Sequence, residues 1–292
     1  MPELPEVETT ILELKNKILS RIFLDVWTDF PGMIKKPKSF GEFRKKIKGK
    51  KIKRIYRIGK NIIFDLSDNL SLLIHQKLTG HLLYGRWQRK NGKWEAEIEG
   101  PLKDDKMNKF LHLIFWLDSE KQLALSDLRK FAKVELWQKE NLMESKGIKN
   151  IGLDPLDRDF TFEKFKKILK KKKGKIKQVL MDQSVIAGIG NIYSDEILFA
   201  SRIHPLRRAN ELKDKELEKL YREIKRILKK AIELKGESIS DYRIPNGEKG
   251  GFDKMRKVYR KKGEKCPRCG TIIRRIKVGG RSAHFCPKCQ KL

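Results

Sequence analysis

Two hydrophobic patterns divide the chain, and each predicts a different kind of structure. In residues 4–18 apolar side chains recur every three or four positions, which predicts an amphipathic helix. From about 22 to 138 the repeat shortens to two, as in 60–66 and 111–117, and short polar turns separate the runs. Strands this short and closely spaced predict an antiparallel β-sandwich or barrel.

The alternation stops at a polar linker, residues 146–160, and helical periodicity follows it. Thr161 is suited to cap the first helix of this half, and apolar positions between 217 and 231 predict another helix, ended by Gly236. A glycine-rich segment then predicts a loop. These divisions predict three domains, 1–145, 161–262 and 263–292, and the linker stands between the first and the second.

Composition adds a strong positive charge to this organisation. The 292 residues include 69 Lys and Arg against 38 Asp and Glu, a formal net charge of +31. Such an excess indicates a polyanionic partner, either nucleic acid or a membrane surface, although a lysine-rich proteome would raise the charge of any surface. Basic residues are concentrated in 164–177 and 251–292, and this concentration favours phosphate binding.

Neither a membrane-spanning nor a secreted protein is expected. No run approaches the ~18 apolar residues of a membrane span. The acidic, proline-containing start does not resemble a signal peptide. The protein is therefore expected to be cytoplasmic.

All four cysteines lie near the end of the chain, in two Cys-x-x-Cys pairs sixteen residues apart. This spacing is typical of a structural zinc site with four thiolate ligands, and the alternative is a set of free or redox-active cysteines. A segment of about 30 residues cannot build its own hydrophobic core, so one bound Zn²⁺ would replace it. The predicted ligands are Cys266, Cys269, Cys286 and Cys289.

Two further motifs have a chemical interpretation. Residues 188–193, Gly-Ile-Gly-Asn-Ile-Tyr, predict a tight turn between two helices, with Asn191 capping the second so that its amides face a phosphate. A turn that serves packing alone is the alternative. At the start, removal of Met1 would give Pro2 a secondary amine, able to form an imine with a carbonyl carbon. Here the alternative is a proline that only begins the helix.

The order of these motifs resembles that of the formamidopyrimidine-DNA glycosylases. The resemblance begins with Met-Pro-Glu-Leu-Pro-Glu and spans nearly the whole chain, through 59–60, 74–80, 126–131, 188–193, 204–205 and the cysteine pairs. It implies an α+β multidomain fold, with an N-terminal helix and antiparallel β-sandwich, a helix–two-turns–helix domain and a Cys₄ zinc finger. It also implies a monomer that binds damaged double-stranded DNA, excises oxidised purines such as 8-oxoguanine and formamidopyrimidines, and cleaves abasic sites by β,δ-elimination.

The resemblance implies a role for each matching residue. Pro2 is expected to attack C1′ of the sugar and form a Schiff base, Glu3 to act as general acid, and Glu6 to support it. Lys60 and Arg281 complete the implied catalytic set. Lys60 is expected near the lesion and a flanking phosphate, at the rim of the sheet, and Arg281 on the finger, against the phosphate nearest the scission, with a part in strand cleavage. The implied DNA contacts are His75, Leu78, Arg129, Phe131, Lys172, Lys177 and Asn191.

Three of these DNA contacts, Leu78, Arg129 and Phe131, would fill the gap left by the extruded base. The sequence departs from the family pattern at or near them, where the usual methionine, proline, arginine and histidine are replaced by Leu78, Leu128, Lys130 and Phe110. Leucine has the bulk of methionine, whereas the loss of the histidine removes one polar contact to DNA.

Two other functions remain open. An enzyme similar to endonuclease VIII would remove oxidised pyrimidines, but residues 241–252 resemble the loop that covers an oxidised purine and favour the purine enzyme. A catalytically silent protein would keep only the DNA-binding surface. An enzyme is favoured by the joint presence of residues that a protein limited to binding does not need: Pro2, Glu3, Glu6 and Lys60.

Overall fold

The computed structural model describes all of residues 1–292, which divide into two compact units. The sandwich unit comprises Met1–Lys149 and Leu234–Asp253, and the helix–finger unit comprises Asn150–Glu233 and Lys254–Leu292. The sequence alone placed 234–253 with the helices. In the structure this segment packs with the sandwich unit, because its backbone and side chains hydrogen-bond the start of the first helix.

The sandwich unit contains three helices and eleven strands. Most strands are short and joined by tight turns, as the period of two predicted. In chain order the elements are α1 (Leu4–Ile18), β1 (Phe23–Thr28), β2 (Ile34–Lys36), α2 (Phe40–Ile47), β3 (Ile52–Ile58), β4 (Asn61–Leu66), β5 (Leu70–His75), β6 (His81–Gly85), β7 (Trp87–Lys90), β8 (Lys93–Ala96), α3 (Pro101–Asp104), β9 (Leu111–Leu117), β10 (Gln122–Ser126) and β11 (Lys133–Gln138).

Two sheets enclose one hydrophobic core. One sheet has the strand order β1-β9-β10-β6 and the other β2-β11-β5-β4-β3, while β7 and β8 form a separate hairpin. The predicted β-sandwich is confirmed. Its pairing is antiparallel except between β2 and β11, which run parallel over two residue pairs.

The first helix closes this core. Its apolar stripe, from Val7 to Ile18, is at most 4% exposed and packs among side chains from both sheets, as the periodicity predicted. The strand β4 is buried on both faces. Phe64 points into the main core, whereas Ile63 packs in a second cluster behind the sheet.

The helix–finger unit consists of four helices and one β-hairpin. Its elements are α4 (Phe162–Lys170), α5 (Ile176–Met181), α6 (Asn191–Ser201), α7 (Asp214–Glu233), β12 (Arg274–Val278) and β13 (Arg281–Phe285). Thr161 caps α4 as predicted, since its side chain accepts the N–H of Lys164 (3.4 Å). None of the helices of the chain combines the length and the apolar character needed to cross a membrane.

One buried polar side chain in the sandwich unit lacks a hydrogen bond. Gln76, directly after β5, is 1% exposed, and neither atom of its amide is bonded within the protein. Leaving such a group unpaired costs about 1–3 kcal/mol. Gln122 is also buried, but both atoms of its amide are hydrogen-bonded: its oxygen accepts the N–H of Trp87 (2.7 Å) and its nitrogen donates to the Trp87 carbonyl (3.3 Å).

We therefore expect Gln76→Leu to raise the free energy of unfolding by about 1–3 kcal/mol. Gln122→Leu, the matched control, should lower it by a similar amount, since the Trp87 backbone loses its partners. Urea unfolding followed by tryptophan fluorescence measures both changes. An equal loss of stability in the two variants would show that the Gln76 amide is bonded in the folded protein.

Candidate functional site

The N-terminal turn of α1 holds three residues expected to be catalytic. Glu3 is the N-cap and forms a capping box with Glu6: the Glu3 N–H donates to Glu6 Oε2 (2.7 Å), and the Glu3 carboxylate accepts the Glu6 N–H. The two residues are 2% and 1% exposed, and Pro2 is buried beside them. The capping box therefore fixes how the chain enters the helix, and with it the position of Pro2.

Glu6 also binds the segment Leu234–Asp253. Its Oε1 accepts the backbone N–H of Glu237 (2.8 Å), and its carbonyl oxygen accepts the hydroxyls of Thr10 (2.8 Å) and Tyr242 (3.0 Å). Burial raises the pKa of Tyr242, so its phenol remains a hydrogen-bond donor. The start of the chain and this segment thus share one buried polar cluster.

The loop that resembles a lesion-covering segment is folded onto the sandwich. Arg243 forms a bidentate ion pair with Asp105, with N–O distances of 2.6 and 3.1 Å. Burial alone would raise the pKa of Asp105, but the bonds it accepts from Arg243 and from a backbone N–H outweigh burial and lower it. Asn108 adds a bond from its Nδ2 to the carbonyl of Gly247 (3.0 Å).

Lys60 and His75 lie together at the rim of the five-stranded sheet. Lys60 follows Gly59 in the turn between β3 and β4, where the strand pattern placed it, and is 7% exposed. Burial, and after it the charges of Lys77, Lys60 and Lys133, lower the pKa of His75 to about 3. The His75 Nδ1 accepts the Lys77 N–H (2.9 Å), so the neutral ring carries its proton on Nε2. His75 therefore presents an N–H donor without a charge.

Asp127 joins the two loops expected to fill the gap in the DNA. It is fully buried, and it accepts the hydroxyl of Thr79 on one oxygen and a backbone N–H of its own loop (2.7 Å) on the other. Thr79 belongs to the loop of Leu78, whereas Asp127 precedes Arg129 and Phe131. The Phe131 ring is 48% exposed, with the Arg129 guanidinium 4.6 Å from its centre.

In the helix–finger unit, α6 follows the glycine turn, but Asn191 is not its cap. The N-cap is Gly190, which has an extended backbone (φ −132°) and no side chain to contribute, so the prediction that Asn191 caps the helix is wrong. Asn191 is the first helical residue. Its Nδ2 donates to the hydroxyl of Ser282 on β13 (3.3 Å), which links the helix to the finger.

A buried ionic cluster joins α5, α6 and the finger. The fully buried Lys177 ammonium donates to Asp195 Oδ1 (2.5 Å) and to the Ser194 hydroxyl (3.1 Å). The second Asp195 oxygen, Oδ2, accepts the backbone N–H of His284 (2.9 Å) and lies 3.0 Å from its Nδ1. The resemblance implied that Lys177 contacts a phosphate, but its place in this cluster favours a positioning role.

The next residue of α6 holds the chain that enters the finger. Glu196 is 4% exposed and accepts three consecutive backbone N–H groups, those of Lys257, Val258 and Tyr259, at 2.8–3.0 Å. Burial raises the pKa of Glu196 above its ordinary value, although these bonds favour the carboxylate. The helix α6 therefore fixes both the entry to the finger and its hairpin.

Arg281 lies at the tip of the β12–β13 hairpin, beside a two-glycine turn. In that turn Gly279 has φ +55°, and a side chain there would lie 2.3 Å from Gln178 of α5, so the turn packs closely on that helix. The Arg281 side chain is exposed at this fixed position. Lys172 lies two residues beyond α4 and is half-buried.

The four cysteine sulfurs form a cluster suited to a tetrahedral metal ion. All four lie within 4.8 Å of one another, and Cys269 Sγ is 3.5 Å from the sulfurs of Cys286 and Cys289. Zn²⁺ with bonds of about 2.3 Å would hold its thiolates about 3.8 Å apart. Donor type and spacing fit zinc, and four thiolates leave no open coordination position, which makes the site structural.

Sequence reasoning missed the residues that position these side chains, among them Asp127, Asp195 and Glu196. The two acidic residues of α6 carried a signal, because they interrupt a largely apolar helix. The Arg243–Asp105 pair has no such signal in the sequence, since 138 positions separate the partners.

Three family models match consecutive parts of the chain. The formamidopyrimidine-DNA glycosylase N-terminal domain matches residues 1–134, and the H2TH domain of the same glycosylase matches residues 151–243. The zinc finger found in FPG and IleRS matches residues 263–292 and supports the assignment of a structural zinc to the four cysteines.

Relatives match the chain along its full length. A formamidopyrimidine-DNA glycosylase of Pelotomaculum thermopropionicum is 38% identical over 292 residues and covers all of both chains. A variant of Lactococcus lactis FPG, in complex with a Fapy-dG containing DNA, has a TM-score of 0.86 at 35% identity, with full coverage of both chains. MutM in complex with carbocyclic 8-oxo-G containing DNA has the same TM-score and identity, again with full coverage of both chains.

Lys177→Met should lower the free energy of unfolding by about 3–5 kcal/mol, because it leaves the Asp195 carboxylate buried without its partner. It should not change the salt dependence of DNA binding, since a buried ammonium releases no counterion. Lys172→Met is the matched control and should lower the salt slope by about 0.9 with little loss of stability. If Lys177→Met lowered the salt slope and Lys172→Met lowered only the stability, Lys177 would be the direct phosphate contact.

Because His75 stays neutral far below physiological pH, its contribution to DNA binding should not vary with pH. The ratio of dissociation constants for His75→Ala and the unaltered protein, on one abasic duplex, should stay constant between about pH 5 and 8. His75→Gln keeps a neutral donor and should retain more affinity than His75→Ala. A ratio that grows as the pH falls would show that the ring binds as a cation.

Proposed function

The chain belongs to the formamidopyrimidine-DNA glycosylase family, and we propose that it is a bifunctional base-excision repair enzyme. It would remove oxidised purines, such as 8-oxoguanine and formamidopyrimidines, from duplex DNA and cleave the resulting abasic strand. The observation that carries the proposal is the capping box of Glu3 and Glu6, which places two buried carboxylates beside Pro2. A capping box can begin any helix, but a protein that only binds DNA has no need of a buried Pro2 beside the two carboxylates.

Removal of Met1 would leave the Pro2 nitrogen as a secondary amine at the N-terminus of α1, where the helix dipole disfavours an ammonium. The lone pair attacks C1′ of the damaged nucleotide, and the bond from C1′ to the base breaks with its electrons going to the base. Glu3 would carry the proton that the amine loses to O4′, so that the bond from C1′ to O4′ breaks and the ribose ring opens as the iminium forms. Glu6 holds Glu3 in position through the capping box.

The secondary amine also accounts for strand cleavage. The iminium it forms carries no N-bound proton, so its positive charge persists and acidifies the C2′ proton. Loss of that proton expels the 3′ phosphate, and a second elimination expels the 5′ phosphate. The expected product is a one-nucleotide gap flanked by phosphates.

The other site residues are proposed to bind and distort the duplex. Lys60 and Arg281 would bind phosphates beside the extruded nucleotide. The exposed Phe131 ring, with Arg129 beside it and Leu78 on the adjoining loop, would fill the gap in the stack. Leu78 supplies an apolar bulk similar to that of the usual methionine.

The loop at 241–252 supports a purine substrate. Its ion pair with Asp105 and its bond from Asn108 hold it on the sandwich unit, near the buried cluster of Glu6. The enzyme is proposed to act as a monomer in the cytoplasm, on chromosomal DNA.

Borohydride should reduce the iminium and link the protein covalently to a duplex that contains an oxidised purine. Proteolysis should place the link on the peptide that begins at Pro2. A chain that retains Met1 should give no adduct, because its Pro2 nitrogen is an amide. Pro5→Ala, the matched control, alters the same helical turn without touching the amine and should be trapped normally.

Three other outcomes would contradict parts of this proposal. An adduct on Lys60 in a chain that retains Met1 would move the nucleophile to that lysine. The absence of any adduct in trimmed protein would leave a DNA-binding protein without lyase chemistry. Faster excision of an oxidised pyrimidine than of 8-oxoguanine, from otherwise identical duplexes, would assign the activity to the endonuclease VIII type.

A further inference from the structure

A cavity lies in the sandwich unit, on the face of the four-stranded sheet that is turned away from the main core. The β7–β8 hairpin packs over this face. Ile114 of β9 and Trp87 of the hairpin belong to one cluster there, whereas Phe115, the next residue of β9, points into the main core. The cavity has a volume of about 540 Å³, which is enough for a small organic ligand.

Aromatic side chains form much of the cavity wall. Trp27 and Trp94 meet edge to face, with ring centres 5.2 Å apart, and both are half-buried. Phe110, also half-buried, lines the cavity at the position where the family pattern has a histidine. Partly open aromatic rings of this kind are suited to stack against a planar ring of a ligand.

Two polar groups of the wall have no partner in the protein. The His112 ring is held by Asp29, whose carboxylate oxygens lie 2.8 and 3.0 Å from its Nδ1. Because a carboxylate only accepts hydrogen bonds, Nδ1 carries the proton, and Nε2 of the neutral ring is an acceptor. The Nε1–H of Trp94 is a donor without an acceptor. An acceptor and a donor beside aromatic rings complement the edge of a nucleobase, which carries both kinds of group.

The charge of the cavity favours an anionic ligand. Six charged side chains line it: Arg89, Lys93, Lys103, Lys109, Asp29 and Glu95. Two of them are already paired, Lys103 with Glu99 outside the cavity and Asp29 with His112. The other four are three cations and one carboxylate, an excess of two positive charges, which is expected to attract a phosphate group.

We propose that this cavity binds an unpaired nucleotide, with its base against the aromatic wall and its phosphate near Lys93 and Lys109. Proteins that hold single strands combine the same two features, aromatic rings for the bases and a basic surface for the backbone. The cavity adjoins the loop of Arg129 and Phe131, because the Phe110 carbonyl accepts the N–H of Asp127 (2.8 Å). The nucleotide would come from solution or from an unpaired position in a DNA strand, and only the second source rests on the proposed function.

Deoxyadenosine monophosphate, added to the full chain, tests the site by quenching of tryptophan fluorescence. Four of the five tryptophans belong to the cluster at this cavity, so the signal reports on it: Trp27, Trp87, Trp94 and Trp116. Phe110→Ala should raise the dissociation constant about 5- to 150-fold, the range for loss of one stacked aromatic ring. Phe131→Ala, the matched control, removes an exposed ring that does not line the cavity and should leave this constant unchanged.

The double variant Lys93→Gln/Lys109→Gln separates the phosphate from the base. It should weaken binding of deoxyadenosine monophosphate several-fold and leave binding of deoxyadenosine unchanged, because only the first carries a phosphate. Lys149→Gln, another exposed lysine of the sandwich unit, should alter neither. Both replaced lysines are exposed, so this variant still tests the site if thermal unfolding shows that Phe110→Ala is unfolded.

A short single strand of deoxyadenosines distinguishes the two sources of the nucleotide. If the strand displaces the mononucleotide, and Phe110→Ala weakens both, the cavity accepts a nucleotide within a DNA strand. If only the free mononucleotide binds, the cavity is a site for nucleotides in solution.

The absence of saturable quenching up to about 10 mM deoxyadenosine monophosphate would overturn the proposal. Equal losses in Phe110→Ala and Phe131→Ala would also overturn it, since the nucleotide would then bind at the loop of Phe131. Equal losses of nucleotide and nucleoside binding in the lysine variant would contradict the assigned phosphate contact. The titration requires neither Pro2 nor a lesion, so its outcome is independent of whether borohydride links the chain to DNA.

Discussion

The carboxylate of Glu6 is the interaction on which the proposed chemistry depends. One oxygen closes the capping box with Glu3, and the other accepts the N–H of Glu237. A single buried side chain thus bonds both the turn that follows Pro2 and the segment Leu234–Asp253. Its backbone carbonyl accepts the Tyr242 hydroxyl, so the start of the first helix and the segment Leu234–Asp253 are bonded at two points.

Buried carboxylates that accept hydrogen bonds from neighbouring segments also position other loops of the candidate site. Asp127 binds two loops of the sandwich unit, and Asp195 and Glu196 hold the finger on α6. A buried carboxylate that accepts two or three N–H or O–H groups is strongly bonded and directional, whereas apolar packing fixes position less sharply. In a protein rich in surface lysine, these few buried acids supply the precision that the site requires.

The sequence predicted those parts of the molecule that depend on neighbouring residues. The stripe from Val7 to Ile18, the alternation in β4 and β5, and the cap at Thr161 each follow from local chemistry, and all are confirmed. The cysteine spacing predicted the metal cluster for the same reason, because each pair forms one tight turn.

The parts that could not be predicted depend on distant partners. Asn191 has the side chain of a helix cap, but Gly190 takes that position and Asn191 turns to Ser282, about 90 residues away. Lys177 stands in a lysine-rich run that suggests an exposed phosphate contact. In the structure its ammonium is fully buried and donates a hydrogen bond to Asp195, a contact that the sequence does not indicate.

The sandwich unit is not continuous along the chain, and this affects the order of events during synthesis. Its last segment, Leu234–Asp253, follows about 80 residues of the helix–finger unit, and the ribosome adds some 100 residues between Lys149 and Asp253. At the usual rates of translation this takes roughly 5–20 s. In that interval α1 can dock on the sheets while Glu6 still lacks the N–H of Glu237. The aminopeptidase that would remove Met1 can therefore act before Glu237 and Tyr242 reach Glu6.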